Sequence, residues 1–399
     1  MNTKDAVQVT DNNLKFVARG TNQGLMRAQN ERLVLTILRR HGPMAKADLA
    51  RSTGLSAQTV SVIMRKLEDE GLLAKGEPVR GRVGQPSVPM RLAEEGAFFA
   101  GLKIGRRSAD LVLTDFLGHV RARARITYAY PTPDATVRFA RESFGQLAAQ
   151  LSPAQRDRIG GLGVAMPFQL WDWAVSLGLD PLKMSDWQSR DICAELADDL
   201  ALPVFMQNDA SAACGAELVF GSSDRSPDFL YFYIGYFAGG GVVLDNQLFT
   251  GRTGNAGALG SMPVPQPGGG TVQLIDMASL CVLERTMSED GHDTACLWEP
   301  PAAWEVPADL LEDWVTRAGA GLAHAVASAI CVLDLPEVRI DGWIPHPVRA
   351  GLVAAASEAL ARMDLSGVVP PRVLPGSVGP DARVLGAASL PLSDRFLIE

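Results

Sequence analysis

Two places in the sequence hold side chains that could bind a small molecule. Asn208 and Asp209 form a polar pair at the start of a helix of small residues. The Asp209 carboxylate suits two roles, as an acceptor for a ligand hydroxyl or as the N-cap of that helix. Trp171-Asp172-Trp173 follows a buried strand, where the rings could stack on a ring-shaped ligand or pack as a hydrophobic lip.

A third place, the loop of residues 250–270, is rich in Gly and Ala and is broken by Pro. It contains no Asp, Glu, His or Cys, so it offers no group for acid–base catalysis and no strong metal ligand. The loop, which includes Asn255, therefore predicts a backbone that shapes a pocket without doing chemistry.

The five cysteines are scattered along the chain, and no pair has the C-x-x-C spacing of a zinc or redox site. Separated thiols in odd number are typical of a reducing cytosol. Residues 1–20 are polar and charged, unlike a signal peptide. The longest uncharged apolar run, residues 229–244, is short of the ~20 residues of a membrane helix. We expect a cytoplasmic protein without metal, cofactor or membrane association.

The elements before residue 93 follow the pattern of a helix-turn-helix with a wing. Gly54 makes the turn and Ser56 is a good N-cap for the helix that follows. In that helix Val60, Ile63 and Leu67 recur at helical spacing, so we expect them to face inward. The three predicted helices end at 41–43, span about 46–52 and span about 57–70.

The outward face of the third helix carries the residues that could enter a DNA major groove, and Met64 is predicted to lie on it. Side chains near the helix start would contact base edges, whereas basic side chains on the helices and the wing would contact phosphates. A helical adaptor with a solvated charged face is the alternative. The candidate DNA-binding residues are Arg51, Ser56, Gln58, Thr59, Ser61, Arg65, Lys66, Arg80, Arg82 and Gln85.

The charge is divided unevenly along the chain. Residues 1–93 carry 15 Lys and Arg against 8 Asp and Glu, although the whole chain has a net charge of −8. The rest of the chain is therefore strongly acidic. A basic head would approach a polyanion that an acidic body would avoid, which favours double-stranded DNA as the partner of the head.

After about residue 98 the pattern changes to alternating strands and helices. The order of segments resembles the ROK family, named for repressors, open reading frames and kinases, over about residues 24–396. The resemblance is carried by LARSTGLSAQTVSVIMRKLEDEGL, GLGVAMP, QNDASAACGAELVFG, GYFAGGGVVLDNQLFTGRTGNAGALG and LGAASL.

This resemblance implies an α/β fold: a winged helix-turn-helix joined to a two-lobed, actin-like body of the sugar kinase and ribonuclease H type. The expected domains are a flexible tail (1–22), the winged head (23–93) and the body (94–399). Lobe one would comprise about 94–208 with a final helix at about 381–399, and lobe two about 209–380.

The phosphate segments depart from the pattern of the family's kinases, which usually begin with an Asp-x-Gly-Gly-Thr turn. Lys103 stands in place of the acidic residue and Arg106 in place of the second glycine, so the close backbone cradle for phosphate is lost. Residues 239–241 resemble the second phosphate segment, with a hairpin turn needing positive φ as the alternative. Asp209 aligns with the kinases' general base, but we expect no catalytic residue without a positioned phosphoryl donor.

The resemblance also implies a changed sugar site. Ala258 and Ile275 stand where the family has glutamates, and Ser261 stands where it has a histidine that holds sugar and zinc. Three thiolate ligands of the family's zinc loop are missing, so no structural zinc is expected. The candidate effector-binding residues are Trp171, Asn208, Asp209, Asn255, Ala258 and Ser261.

The sequence thus predicts a transcriptional regulator that represses carbohydrate-related genes. Its body would sense a sugar, polyol or sugar derivative without catalysis, and would form a homodimer or homotetramer. An active ATP-dependent sugar kinase with an appended head, and a scaffold that senses nothing, remain the alternatives.

Overall fold

Three helices and a two-stranded antiparallel sheet form the head. The structure is a computed structural model that describes residues 23–78, 88–174, 180–266 and 268–398. The head comprises α1 (Gln23–His41), α2 (Lys46–Thr53), α3 (Ala57–Asp69), β1 (Leu73–Lys75) and β2 (Met90–Leu92). The predicted helix-turn-helix and the base of the wing are therefore present.

Local signals in the sequence determine the head. Gly54 ends α2 in the left-handed region at φ 67°, and the Ser56 hydroxyl accepts a hydrogen bond from Thr59 N at the start of α3. Val60, Ile63 and Leu67 are buried as predicted. Met64 is also buried, so its predicted outward position is wrong. It lies four residues after Val60 and three before Leu67, which places it within the same apolar stripe.

Lobe one is built on a five-stranded sheet in the order β5-β4-β3-β6-β7. Strands β3, β4 and β5 are antiparallel, whereas β3, β6 and β7 are parallel. Every residue of β3 and β4 is buried, while β5 alternates at the sheet edge. The elements are β3 (Phe98–Ile104), β4 (Ser108–Thr114), β5 (Val120–Thr127), α4 (Pro133–Ala148), α5 (Pro153–Arg156), β6 (Ile159–Met166), α6 (Ile192–Leu200) and β7 (Val204–Asn208).

Lobe two repeats this plan with a sheet in the order β10-β9-β8-β13-β14. The helices and strands of lobe two are α7 (Asp209–Phe220), β8 (Phe229–Ile234), β9 (Gly239–Leu244), β10 (Gln247–Phe249), β11 (Pro263–Pro265), β12 (Thr271–Gln273), α8 (Ile275–Ala278), α9 (Leu280–Glu289), α10 (Ala308–Leu333), β13 (Glu337–Gly342), α11 (His346–Ala361) and β14 (Arg372–Pro375). The final helix, α12 (Ala382–Phe396), follows lobe two in the sequence.

Helix α10 is the one described helix whose length and apolar composition would allow it to cross a membrane. Half of the residues in the apolar stretch of α10 are buried. The helix packs on α11 within the hydrophobic core of lobe two. Its buried residues include Trp314, whose indole Nε1 donates to Ser279 O at 3.2 Å. The helix therefore has the environment of a core helix in a folded domain.

Helix α12 lies between the sheet of lobe one and α7, at very short range. A Cβ on Gly163 of β6 would lie 1.7 Å from Ala387 O, and a Cβ on Gly386 would lie 1.8 Å from Ala212 O. Both glycines are thus required by close approach of backbone to backbone. Helix α12 therefore contacts both lobes.

The head and the body share one hydrophobic cluster. Leu35 and Leu38 of α1 belong to the same buried cluster as Phe99 and Phe116 of lobe one and Phe396 of α12. The three phenylalanine rings contact one another at centroid distances of 5.1–6.5 Å. Apolar burial of this kind is the main stabilising term in folding, so the head is joined to the body by core packing.

Candidate DNA-binding surface and effector cleft

Helix α3 presents two kinds of side chain on its outer face. Gln58 and Arg65 are exposed, and Ser61 is half-buried. Ser56 and Thr59 are engaged at the start of the helix, where their hydroxyls lie 2.8 Å apart. Gln58 and Ser61 therefore have the most freedom to meet a base edge, because the Ser56 and Thr59 hydroxyls already bond each other.

The basic side chains near α3 differ in their partners. Arg51 pairs with Asp48, whereas Lys66 Nζ lies 2.6 Å from Glu31 and 3.6 Å from Glu70. The hydrogen bond with Glu31 raises the pKa of Lys66. Arg65 makes no ion pair within the described part of the chain. A phosphate would meet Arg65 directly, but would compete with carboxylates for Arg51 and Lys66.

The tip of the wing, with the candidate residues Arg80, Arg82 and Gln85, lies outside the described residues. The base of the wing is described, and Lys75 on β1 pairs with Glu68 of α3 at 2.8 Å. This ion pair ties the wing to the helix beside it.

A cleft of about 460 Å³ opens between the lobes, where β6 and β7 end. This volume lies within the range of pockets for small organic ligands. Of the six candidate effector residues, five line it and Trp171 does not; Trp171 packs against the core of lobe one. The lining includes Arg106, Phe168, Asp172, Trp173, Asn208, Asp209, Phe237, Asn255, Ala258, Ser261, Gln273, Ile275 and Arg383.

Asn208, not Asp209, caps α7. The Asn208 Oδ1 accepts hydrogen bonds from Ala210 N at 3.0 Å and Ser211 N at 3.1 Å. The capping role considered for Asp209 is therefore wrong, because an N-cap residue precedes the helix and Asp209 is already its first residue. The Asp209 carboxylate instead accepts from Arg383 Nη1 at 3.2 Å.

Arg106 connects the two lobes across the cleft. Its guanidinium lies 4.4 Å from the Trp173 ring of lobe one and 4.1 Å from the Phe237 ring of lobe two, distances typical of cation–π contacts. Burial lowers the pKa of Arg106 to about 10, while nearby Asp209 opposes that effect. Its Nε has no hydrogen-bond partner among the described residues. A bulky cation thus fills the place where the kinases' pattern requires a glycine.

Lys103, which replaces the acidic residue of the kinase pattern, points into protein. Its Nζ lies 2.9 Å from Ser108 Oγ and 3.2 Å from Asp110 Oδ2. Burial lowers the pKa of Lys103 to about 8; the charge of Arg383 acts in the same direction, and Asp110 opposes it. The ammonium group is therefore held by lobe one itself.

The pKa of Lys103 leads to a prediction about stability. The unfolded chain, with the ordinary lysine pKa of 10.5, binds more protons than the folded protein between about pH 8 and 10.5, so Lys103 favours folding increasingly as the pH rises. We therefore compare the free energies of unfolding of wild type and Lys103→Met. Between pH 7 and pH 10, the wild type should gain about 2–3 kcal/mol of stability relative to the variant. Urea titrations at each pH measure it. Lys183→Met, at an exposed lysine, is the control. A difference in stability between wild type and Lys103→Met that did not change with pH would contradict the prediction.

The glycines at 239–241 lie inside β9 and none of them has a positive φ. The expectation of a hairpin turn at these residues is therefore wrong. A Cβ on Gly240 would lie 2.3 Å from Tyr231 O, and a Cβ on Gly241 would lie 2.6 Å from the Cβ of Cys214 on α7. The glycines let α7 and β8 approach β9 closely.

One group of side chains in the described ranges could hold a metal ion by distance alone. The ligand atoms of Glu94, Asp115 and His119 lie within 4.8 Å of one another. Arg121 Nη1 lies 2.9 Å from Glu94 and 3.5 Å from Asp115. Because a guanidinium already neutralises these carboxylates, the group gives no reason to infer a metal site.

Comparisons with known proteins follow the division between head and body. The model of the ROK family matches residues 99–286, and the model of winged helix-turn-helix DNA-binding domains matches residues 27–74. The chain carries a ROK family domain joined to a winged helix-turn-helix domain. The predicted family and fold class are confirmed.

Two relatives and one structure illustrate the similarity. An uncharacterized protein of Sinorhizobium fredii, y4fQ, is 26% identical over 92% of this chain and 91% of its own length. The xylose repressor of Bacillus subtilis is 24% identical over 61% of this chain and 62% of that repressor. The crystal structure of a ROK family transcriptional regulator, a homologue of the E. coli MLC protein, covers 92% of this chain and 96% of its own, with TM-score 0.65 and 20% identity.

Sequence reasoning missed three contributors to the ROK domain's cleft: Arg106 as a lobe-bridging group, Arg383 and Phe237. Arg106 carried a signal, since a large cation replaced a glycine. Arg383 carried none, because it lies 174 residues from Asp209 in the sequence. The pairing of Arg383 with Asp209 depends on the position of α12, which no local sequence pattern predicts.

Proposed function

We propose that this protein is a DNA-binding transcriptional repressor of carbohydrate-related genes, with a ROK domain that senses a ligand and does not phosphorylate it. The arrangement around Arg106 carries the proposal. Arg106 occupies the cleft between Trp173 and Phe237, and Asp209 is paired with Arg383. A carboxylate in an ion pair is a poor general base, and the phosphate cradle of a kinase is filled by a side chain.

The ligand of the cleft is proposed to be a sugar, polyol or sugar derivative. Asn208, Asp209 and Asn255 contribute polar groups to the lining of the cleft, and Trp173 and Phe168 contribute rings. Rings and hydroxyl acceptors together suit a polyhydroxylated ligand. The xylose repressor relatives support this class of ligand. The missing glutamates at Ala258 and Ile275 predict that its affinity differs from that of the family's kinases.

The protein is proposed to act in the cytoplasm as a homodimer or homotetramer. Two heads would then contact half-sites separated by whole turns of DNA. Arg51, Arg65, Lys66, Arg80 and Arg82 would contact phosphates, and Ser56, Gln58, Thr59, Ser61 and Gln85 would lie close to bases.

The decisive experiment selects DNA sites for the full-length protein from random sequence and then compares two variants on the selected site. Arg65→Ala should weaken binding to all sequences alike and reduce the slope of log affinity against log salt by about 1. Gln58→Ala should instead relax the preference at one base pair, with a loss of about 1–3 kcal/mol confined to the preferred base. Selection of no site, with affinity that does not respond to salt, would overturn the proposal.

The same protein is assayed for function of the cleft. Hexoses, pentoses, polyols and amino sugars are tested for a rise in melting temperature, and with ATP for phosphorylation. We expect one class to raise the melting temperature, and Asp209→Asn to reduce that rise. Turnover of any sugar well above the blank would show a kinase, and uniform silence would favour a scaffold.

A further inference from the structure

A second cavity, of about 500 Å³, lies between the head and the body. We call it the junction cavity; its walls include Arg39 and Arg40 of α1, Leu218 of α7, Arg225, and Leu390 and Ser393 of α12. It shares no residue with the effector cleft. Its volume suits a small organic molecule, and its walls come from α1 of the head and from β7, α7, β10 and α12 of the body.

Three arginines contribute to the walls of the junction cavity, and none of them is in direct contact with a carboxylate of the described residues. Arg39, Arg40 and Arg225 make no ion pair within 4.0 Å in the described part of the chain, and the exposed Asp394 is the one acidic residue among the described lining residues. Arg225 is buried and donates to two neutral acceptors, Leu218 O at 2.6 Å and Asn246 Oδ1 at 3.2 Å. Uncompensated buried charge is costly, so an anion in the cavity would be strongly favoured.

Two arginine nitrogens in these walls also lack a partner within the described ranges. The Nε atoms of Arg39 and Arg40 are buried and have no hydrogen-bond partner in the described residues. Burial lowers the pKa of Arg225 to about 10; the positive charge of Arg40 acts in the same direction, and Glu217 and Glu337 oppose it. Arg40 and Arg225 line the same cavity. A guanidinium pair of this kind matches the oxygens of one carboxylate or phosphate.

The remaining walls combine apolar and polar side chains. Leu218, Leu248, Leu390 and Leu397 line the cavity together with Ser222 and Ser393. An inorganic ion would leave this apolar surface uncovered. We propose that the junction cavity binds a small organic oxyanion, a carboxylate or a phosphate ester, whose charged group lies between Arg40 and Arg225 and whose apolar part packs on the leucines.

Such a ligand would couple to the DNA-binding head. One wall of the cavity belongs to α1 of the head and the others to the body, so the complete site exists only when the two are docked as described. A ligand that binds one arrangement stabilises that arrangement, and the coupling to DNA is reciprocal. This second step rests on the proposed function, whereas binding to the cavity does not.

Calorimetry on the full-length protein, in the absence of DNA and at constant ionic strength, tests the binding. The probes are phenyl phosphate, benzoate, neutral benzyl alcohol and inorganic phosphate. We expect phenyl phosphate or benzoate to bind, and benzyl alcohol and inorganic phosphate to bind at least tenfold more weakly. The preferred probe distinguishes a phosphate ester from a carboxylate ligand.

Variants assign any binding to the junction cavity. Arg40→Met and Arg225→Met should each weaken binding at least tenfold, and Ser393→Trp should weaken it by filling the cavity with all three arginines retained. Arg362→Met, at the exposed arginine that follows α11, is the control and should bind as wild type. Circular dichroism of the unliganded variants confirms folding. Absence of binding to either organic anion at 10 mM (on the order of the weakest useful affinity), or equal binding by wild type and both arginine variants, would overturn the proposal.

A second measurement tests the coupling. The affinity for the selected DNA site is compared with and without the bound probe, and should change in wild type but not in Arg225→Met. If the probe binds and the DNA affinity stays constant, the coupling is wrong while the site stands. If no DNA is bound at all, the proposed function fails, and calorimetry still decides on the cavity.

Discussion

Phe116→Ala is expected to lower the free energy of unfolding by about 3–5 kcal/mol, the usual cost of truncating a buried phenylalanine. Phe116 is fully buried in the cluster shared by head and body, with its ring 5.1 Å from that of Phe396. It also lies beneath the guanidinium of Arg39, which donates to the Phe116 carbonyl. The substitution therefore removes packing at the place where α1, lobe one and α12 meet.

The loss should be concentrated at the junction. We expect urea unfolding followed by near-ultraviolet circular dichroism to show the lower stability, and limited proteolysis to cut the segment between head and body sooner than in wild type. Phe249→Ala, at a half-exposed phenylalanine of lobe two, is the control and should change the stability little. Equal effects of the two substitutions would show that the shared cluster does not hold the head.

Arg339→Met is expected to destabilise lobe two by about 3–5 kcal/mol, because it leaves the buried carboxylate of Glu217 without a cation, whereas Glu337 keeps Arg372 at 2.8 Å. Arg339 Nη1 lies 3.0 Å from Glu217 of α7 and its Nε lies 2.6 Å from Glu337 of β13. Both carboxylates are fully buried, and Arg339 is 4% exposed. The guanidinium therefore connects a helix to the sheet at a place where water cannot replace it.

The geometry of the carboxylates gives a matched control for this prediction. Arg339→Met combined with Glu217→Gln removes the carboxylate charge that the single substitution leaves unpaired, and should recover part of the stability. Arg362→Met breaks an ion pair in which both side chains are 72% exposed, so no measurable change is expected. Chemical denaturation of wild type, Arg339→Met, Glu217→Gln, the double variant and Arg362→Met measures the effects; additive losses from the two single substitutions would contradict the assigned contact between Arg339 and Glu217.

The head was the most predictable part of the fold because its signals are local. Gly54, Ser56 and the spacing of Val60, Ile63 and Leu67 lie within fifteen residues and each acts on its neighbours. Met64 was assigned to the wrong face because it lies at the edge of the apolar stripe. At such an edge, burial depends on the neighbouring helices and on β2, which the periodicity of α3 alone does not describe.

The cleft was only partly predictable. The position of Asn208 and Asp209 at the end of β7 placed both in the cleft, yet their roles were settled by backbone geometry at the helix start and by Arg383. The glycines of β9 were assigned to a turn because close packing and positive φ both require glycine. Sequence alone does not separate these two causes, whereas the contacts of Cys214 and Tyr231 do.

The junction cavity had no signal in the sequence. Its arginines come from α1 and from the segment after α7, and its apolar walls come largely from α7, β10 and α12. Each of these residues taken alone has an ordinary surface interpretation. Only the tertiary arrangement shows that the three arginines line the same cavity.

The contribution of α12 to the head has a consequence for how the chain folds during synthesis. The hydrogen bond from Ile398 N to Thr36 Oγ1 joins residues 362 positions apart, and Phe396 completes a cluster that begins with Val34. Contacts of such large sequence separation form late, after the chain between them has been made. The nascent head can form its own three helices early, but the body can fix its orientation only after α12 has been made and has packed.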